Sequence, residues 1–348
     1  MKVGILSLGV YIPRYRIKAY SIAKVWGKPQ DGAAGQFEIE EKSVACWDED
    51  SMTMALEACR DCFARLRSAG IKEDVLKKGI RRVFFGSESP VYAVNPTSTI
   101  IAEFLGMEEN YLAYDTQFAC RAGTGALISG FDFVRKNQGY ALITASDKAQ
   151  SSPQDVLEYS AGSGAVALIA GTGEDFLFEV EDCYSISSDT PDFWRTEGAR
   201  YPSHFGRFTG APAYFRHVVS AGKTIMKKNN ISPSEFEFLV LHMPNLKFPL
   251  RAAKMLGFTK KQIEPSLLVR QIGNCYSASA LLGLASVLEK AKGGERILLV
   301  SYGSGAGSDA FILKVGRRVK KLRPKISDLL KRRKEISYTK YLRFTHQL

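Results

Sequence analysis

The sequence predicts an α/β fold built from two related halves. Three observations predict it. Short apolar runs alternate with amphipathic stretches at helical spacing, the order of elements in the first half recurs in the second, and two pairs of chemically capable residues share one separation.

The first half opens on a strand, MKVGILSLGVYIPRYR, which Gly, Pro and Arg interrupt too early for a signal peptide. A helix, SMTMALEACRDCFARL, then precedes a strand, RRVFFGSES, and a second helix, PTSTIIAEFLG. The segment DTQFACRAGTGALISG carries a cysteine into its own helix, and two strands, YALITASD and GAVALIAG, complete the half. The second half repeats this order. AYFRHVVSAGKTIMKK reads as a helix, FEFLVLHMPN as a strand and FPLRAAKMLGF as a helix. The loop GNCYSAS opens the helix ALLGLASVLEKAK, and RILLVSYGSG and DAFILKV close as strands. These patterns divide the chain into a first half over 1–173, a second over 174–316 and a basic tail over 317–348.

Glu88 ends one strand and His242 ends its counterpart, 154 residues later. Cys120 precedes its helix, and Asn274 stands in the matching place, again 154 residues later. Two halves packed about a pseudo-twofold axis would gather these four positions where strand ends and helix starts collect ligands.

Composition narrows the function classes. A chain of 348 residues with 45% hydrophobic content supports one large domain or two fused ones. No apolar stretch is long enough to span a bilayer. Six cysteines in this length do not make a disulfide scaffold, so a reduced cytoplasm is the expected compartment. The net charge of +12 belongs to the end of the chain: residues 314–348 hold 13 Lys/Arg and 2 Asp/Glu, leaving a net +1 before them. Such a run is most often a solvated face or a docking segment. A nucleic-acid role would rest on this run alone, without a supporting motif, and salt-sensitive DNA binding lost on removing the tail would be its signature.

Cys120 at a helix start, backed by Ala122, Gly123, Thr124 and Gly125, reads as a nucleophile. The helix dipole favours its thiolate, sulfur suits acyl exchange with a thioester, and small neighbours admit a substrate. A packed core cysteine is the bland alternative. Glu88, desolvated at a strand end, suits a general base, against the alternative of a solvated loop acid. His242 suits a catalytic acid, against a satisfied core histidine. Asn274 can orient an imidazole or bond a substrate carbonyl. The loop SYGSGAGSDA offers N–H groups around Ser304 to an oxyanion. His204 is a weaker candidate, and His217 reads as a helix-surface residue. GTGALISG lacks the spacing of a dinucleotide loop. Cys59 and Cys62, one helical turn apart without a second pair, give little support for a metal, and no metal site is expected.

Cys120 in FACRAGT, Glu88 in GSES, His242 in HMPNLK, Asn274 in GNCY and Ser304 in SYGSG together resemble the thiolase superfamily. More narrowly, DTPDFWRTEGARYPSHFGRFTGAPAYFRH and PNLKFPLRAAKMLGFTK resemble the short archaeal-type 3-hydroxy-3-methylglutaryl-CoA (HMG-CoA) synthases, over nearly the whole chain to Val315. The resemblance implies a duplicated thiolase-like fold with αβαβα layers and a homodimer. It also implies condensation of acetyl-CoA, acetoacetyl-CoA and water to HMG-CoA and CoA, within the mevalonate route to isoprenoids. Cys120 would take the acetyl group, Glu88 a proton from its methyl, and His242 would polarise and protonate the ketone. Asn274, Ser304, Thr209 and Ser160 would contact the acyl part or pantetheine, and Lys247 and Arg251 the CoA phosphates. CoA thioesters would be substrates, with no resident cofactor.

Glu88 separates this reading from type III ketoacyl synthases, which generate the carbanion by decarboxylation. Thiolases use a second cysteine, and Cys275 stands beside Asn274. Leu246, where relatives carry a small residue, and the basic tail depart from the pattern. Relatives of this kind work with an acetoacetyl-CoA thiolase and a small zinc-bearing OB-fold protein, which is expected here too. A catalytically silent scaffold subunit of an acyl-CoA complex is the non-enzyme alternative, distinguished by loss of all acyl transfer.

Overall fold

The computed structural model describes residues 2–29, 38–136, 139–305 and 307–348, and only the backbone of Arg207. Its strands are β1 (Val3–Tyr11), β2 (Tyr15–Lys18), β3 (Glu41–Val44), β4 (Ile80–Gly86), β5 (Leu112–Thr116), β6 (Tyr140–Lys148) and β7 (Ser163–Thr172). They continue as β8 (Phe178–Ser187), β9 (Phe193–Trp194), β10 (Ser203–His204), β11 (Phe238–Leu241), β12 (Arg296–Val300), β13 (Gly307–Val315) and β14 (Lys334–Glu335).

Nine strands form one sheet in the order β11-β12-β13-β8-β1-β7-β6-β4-β5. Outward from the short antiparallel β1–β8 junction, each half runs through two antiparallel pairings and then a parallel one. The first half adds β5, parallel to β4, as an edge strand.

Side-chain alternation along these strands sets the layers. On β12, Ile297 and Leu299 face the main core, whereas Leu298 and Val300 face a second core with the helix Phe215–Lys228. On the first half's strands, Gly9 of β1 packs against the backbone of the helix Ser51–Ser68 at Ala58 and Cys62. Ala145 of β6 meets Gly123 of the helix Ala122–Lys136 on the opposite face. Leu281 of the helix Ser279–Leu288 also lies against Gly123, so the two central helices pack together between the halves. The result is the layered α/β arrangement expected. The helix Ser279–Leu288 is buried along its whole length, which explains its nearly all-apolar sequence.

The basic segment 317–348 folds back onto the body. Val319, Leu322 and Ile326 enter the main core. Ile336, Tyr341 and Phe344 pack with Ile17, Ile22 and Val44, and β14 joins β2 and β3 in a small sheet. No helix among the described residues is long and apolar enough to cross a membrane. Leu246 is buried with Met243, Val269 and Ile39, so its side chain fills the interior.

Candidate active site

Three chain segments converge on Cys120. It follows β5 and precedes the helix Ala122–Lys136 by two residues, and Ala119 before it holds φ 49°, a sharp turn in the left-handed region. Gly86 ends β4 so close to this helix start that a Cβ there would lie 2.6 Å from the Gly123 nitrogen, which explains the glycine. Two residues on, Glu88 places Oε1 3.3 Å from Cys120 Sγ.

The Glu88 turn is held by Asp147 at the end of β6. One oxygen of that buried carboxylate accepts the N–H groups of Glu88 and Ser89, at 2.9 and 3.0 Å, and the hydroxyls of Ser87 and Ser89, at 2.8 and 2.7 Å. Its other oxygen accepts the Ser277 N–H from the second half, at 2.8 Å. Asp147 thus fixes the Glu88 turn and ties it to the loop at Ser277 with a single group. It was not singled out from sequence, although an acid closing the apolar run YALITASD carries the same signal as Glu88.

Arg121 and Thr124 anchor the start of the Cys120 helix. Arg121 forms a buried ion pair with Asp309 of β13 at 2.7 Å, and Thr124 Oγ1 donates to the other oxygen of Asp309. The loop after β12 reaches the same turn: a Cβ on Gly303 would lie 2.7 Å from Phe118 O and 3.0 Å from Arg121 N. Asp192 holds that loop by accepting the Tyr302 hydroxyl and the Gly305 N–H, both at 2.7 Å. The N–H groups of Cys120 and Ser304 donate to no acceptor among the described residues, which suits oxyanion binding. Ala306 of this loop lies outside the described residues.

Asn274 and Ser160 meet through the backbone, Asn274 N donating to Ser160 O at 2.7 Å. The Asn274 side-chain oxygen accepts the Tyr276 N–H at 2.9 Å, placing the Tyr276 ring with Cys120 and Ala161 in one cluster. Beneath this crossover lies Lys42, fully buried, with its Nζ donating to Glu158 O and to the Tyr341 hydroxyl. Burial lowers its pKa to about 7.

His242 is buried at the end of β11, with no hydrogen-bond partner for Nδ1 among the described residues, and burial pulls its pKa down to about 3. Its ring lies 6.2 Å from that of Tyr302, and the next residue, Gly303, packs against the backbone on either side of Cys120, at Phe118 and Arg121. The chain of rings continues from Tyr302 to Tyr214 (5.3 Å), Phe248 (5.2 Å) and Phe215 (5.2 Å). Arg251 caps it, 4.6 Å above Phe215. Lys247 and Arg251 are both exposed, one turn apart on the helix Lys247–Leu256. Thr209 is half-buried, and its neighbour Gly210 packs on the Phe248 ring. The exposed cations and the buried imidazole are thus ends of one aromatic path.

Two expectations change, the thiolate state of Cys120 and the surface place of His217. The helix dipole does not make Cys120 a resting thiolate: burial and the adjacent Glu88 carboxylate push its pKa well up, outweighing a dipole worth about 1 kcal/mol. Glu88 itself is raised by burial and by Asp147, so the resting pair is best described as a thiol hydrogen-bonded to a poised carboxyl. His217 is not on the surface. It is buried, with Nδ1 and Nε2 each 2.6 Å from Ala213 O and Ser188 Oγ respectively. Cys275 faces Ser43 at 3.9 Å, and burial raises its pKa to about 12, so it is a packed thiol. His204 pairs with Asp155 at 3.1 Å. Cys59 and Cys62 are fully buried in their helix, and no cluster of three or more metal-ligating side chains occurs among the described residues.

A family model described as 3-oxoacyl-[acyl-carrier-protein (ACP)] synthase III C terminal matches residues 226–315. The hydroxymethylglutaryl-CoA synthase of Archaeoglobus fulgidus is 46% identical over 349 residues, covering 99% of each chain. That of Methanopyrus kandleri is 44% identical over 351 residues, covering 100% of this chain and 98% of its own. Among solved structures, MvaS in complex with 3-hydroxy-3-methylglutaryl coenzyme A superposes with a TM-score of 0.87 at 23% identity, covering 99% of this chain and 91% of that one. An HMG-CoA synthase complexed with CoA gives 0.88 at 24% identity, covering 98% and 89%. At such identities the structural likeness speaks to the fold.

Proposed function

Since the chain belongs to the hydroxymethylglutaryl-CoA synthase family, we propose that Cys120, Glu88 and His242 carry the condensation of acetyl-CoA with acetoacetyl-CoA. The observation that carries this reading is the 3.3 Å contact between Cys120 Sγ and Glu88 Oε1. An acetyl group on that sulfur would put its methyl beside the carboxyl, the proximity needed to deprotonate a weak carbon acid. A decarboxylating condensing enzyme has no use for a carboxylate there.

In the first step Cys120 Sγ attacks the acetyl-CoA carbonyl. The thiol proton leaves with the departing CoA, which is released as its thiol, and the N–H groups of Cys120 and Ser304 receive the oxyanion. Glu88 next removes a methyl proton from acetyl-Cys120. The carbanion attacks the acetoacetyl-CoA ketone, whose oxygen takes a proton as the new C–C bond forms. His242 serves that oxygen: its buried imidazole, neutral at rest, donates its N–H to the forming alkoxide, and the proton that Glu88 took from the methyl makes good the one delivered. Water finally cleaves the Cys120 thioester, leaving a carboxylate and the thiol. Lys247 and Arg251 bind the CoA phosphates, and Asn274, Ser160 and Thr209 line the acyl and pantetheine path. CoA thioesters enter as substrates, and the reaction feeds mevalonate synthesis. With both substrates, CoA release should continue over many turnovers. Release stopping at one equivalent per site would overturn the reading.

The edge strand β5 supports a homodimer. Its outer edge pairs with no other strand among the described residues, Leu112 and Tyr114 are 51% and 40% exposed, and Val94, Phe104 and Phe118 are also exposed. An apolar edge of this kind needs covering, and a second β5 would extend the sheet symmetrically. The proposed partners are an acetoacetyl-CoA thiolase and a small zinc-bearing OB-fold protein, which would hand acetoacetyl-CoA on directly. The compartment is cytoplasmic, consistent with free thiols at all six cysteines. Light scattering of the purified chain should give a dimer mass that Tyr114→Arg converts to monomer. Purification from the native source should retain both proteins. A monomeric wild type, or a clean preparation without either partner, would refute the respective assignment.

A further inference from the structure

This inference rests on the reading above. After condensation the acyl chain is bonded to Cys120 at one end and to CoA at the other. The pantetheine arm then fills the path past Lys247 and Arg251, so the hydrolytic water must reach the Cys120 thioester from another side.

A cleft on the flank of Glu88 is walled by Ser89, Ala149, Gln150 and Tyr276. Three of these residues, Ser89, Ala149 and Gln150, also wall a second cavity of about 370 Å³. No residue of the helix Lys247–Leu256 lines either. The end of the chain roofs the larger cavity: Gln347 Nε2 donates to Ser151 O at 3.0 Å, and Arg200 donates to Thr345 O at 3.1 Å. Two buried polar atoms in its lining lack a well-formed hydrogen bond among the described residues. Gln347 Oε1 is one. Ser151 Oγ is the other, next to the Tyr341 hydroxyl on a residue only 3% exposed. Buried polar atoms of this kind are met by ordered water. Gln150, exposed between the two spaces, makes no side-chain hydrogen bond among the described residues.

We propose that this cavity is the supply route for the hydrolytic water, with Ser151 and Gln347 as its water anchors and Gln150 as the gate beside Glu88. The water oxygen bonds to the thioester carbonyl carbon and the C–S bond breaks. One water proton goes to Sγ, and the other leaves to solvent as the carboxylate forms. The route makes the C-terminal segment part of the catalytic cycle.

The test uses Gln150→Trp, which plugs the gate, and Gln347→Leu, which removes an anchor at the rim with little risk to folding. Rapid quench and intact-protein mass should show an unchanged acetylation burst. They should also show accumulation of the covalent condensation adduct on Cys120, with kcat reduced about tenfold in the plugged variant. Unchanged turnover in both variants, or a slowed acetylation burst without the adduct, would overturn the route. Failure of the wild type to acetylate would instead remove the assignment of Cys120 and the route with it.

Discussion

Cys120→Ala will abolish the covalent acetyl-enzyme and reduce HMG-CoA formation by at least about 10⁴-fold, as expected when a covalent nucleophile is removed. Intact-protein mass after mixing with acetyl-CoA reads the first effect, and CoA release with both substrates reads the second. The change is small in volume and the site is tightly bounded by Gly86, Gly123 and Gly303, so the fold should survive. The turn is set by Ala119 and by the Arg121–Asp309 pair rather than by the sulfur. A second effect separates catalysis from packing. Loss of the thiol removes the hydrogen bond to Glu88, which favours that group's charged form, so the carboxyl should titrate still higher in the variant. Carboxyl-region infrared difference spectra across pH would follow it. Persistence of a stoichiometric acetyl adduct in Cys120→Ala would mean that the nucleophile is another residue.

The layered fold and the central pair were legible because they rest on period and repetition. Two strands that end in Glu88 and His242, with helices that begin after Cys120 and at the Asn274 loop, have one spacing throughout, and a duplicated unit must bring matching positions to a common centre. What stayed hidden depends on surroundings. His217 lies on a helix whose apolar face could be drawn from sequence, but burying its ring needs Ser188 and Ala213 as partners, which spacing does not reveal. The protonation of Cys120 was misjudged because a helix start is visible in sequence, whereas the depth of burial of the thiol and its 3.3 Å contact with Glu88 are set by packing. The tail was legible as charge alone. Its Tyr338 and Tyr341 are what bind it, through Glu158 and Lys42, to the segment carrying Ser160. Eleven net charges masked an amphipathic pattern whose apolar members are buried.

Glu88→Gln should separate acetylation from condensation, and should do so without loss of stability. The carboxyl's raised pKa means that the folded state holds a proton which the unfolded state releases above the ordinary carboxyl range. Stability from this group is therefore undiminished below about pH 4.5 and falls as pH rises from there towards the raised folded value. An amide carries no charge to desolvate, so Glu88→Gln should melt at or above the wild-type Tm at pH 7, with the difference shrinking in acid. In the same variant burial still raises the Cys120 thiol but the Glu88 charge that adds to it is gone, so its thiolate forms more readily and acetyl-CoA still loads the sulfur. The methyl proton then has no acceptor, and turnover should fall by about 10³- to 10⁴-fold, the range of general-base removal. Mass spectrometry would show acetyl-enzyme persisting in the presence of acetoacetyl-CoA, where the wild type clears it. Two results would contradict the assignment: condensation at the normal rate would place the base elsewhere, and loss of acetylation would make Glu88 the activator of the thiol rather than of the carbon acid. Burial two residues past the end of β4, beside Asp147, is what raises the Glu88 carboxyl, and the same raised affinity for a proton is what a base for the methyl would use.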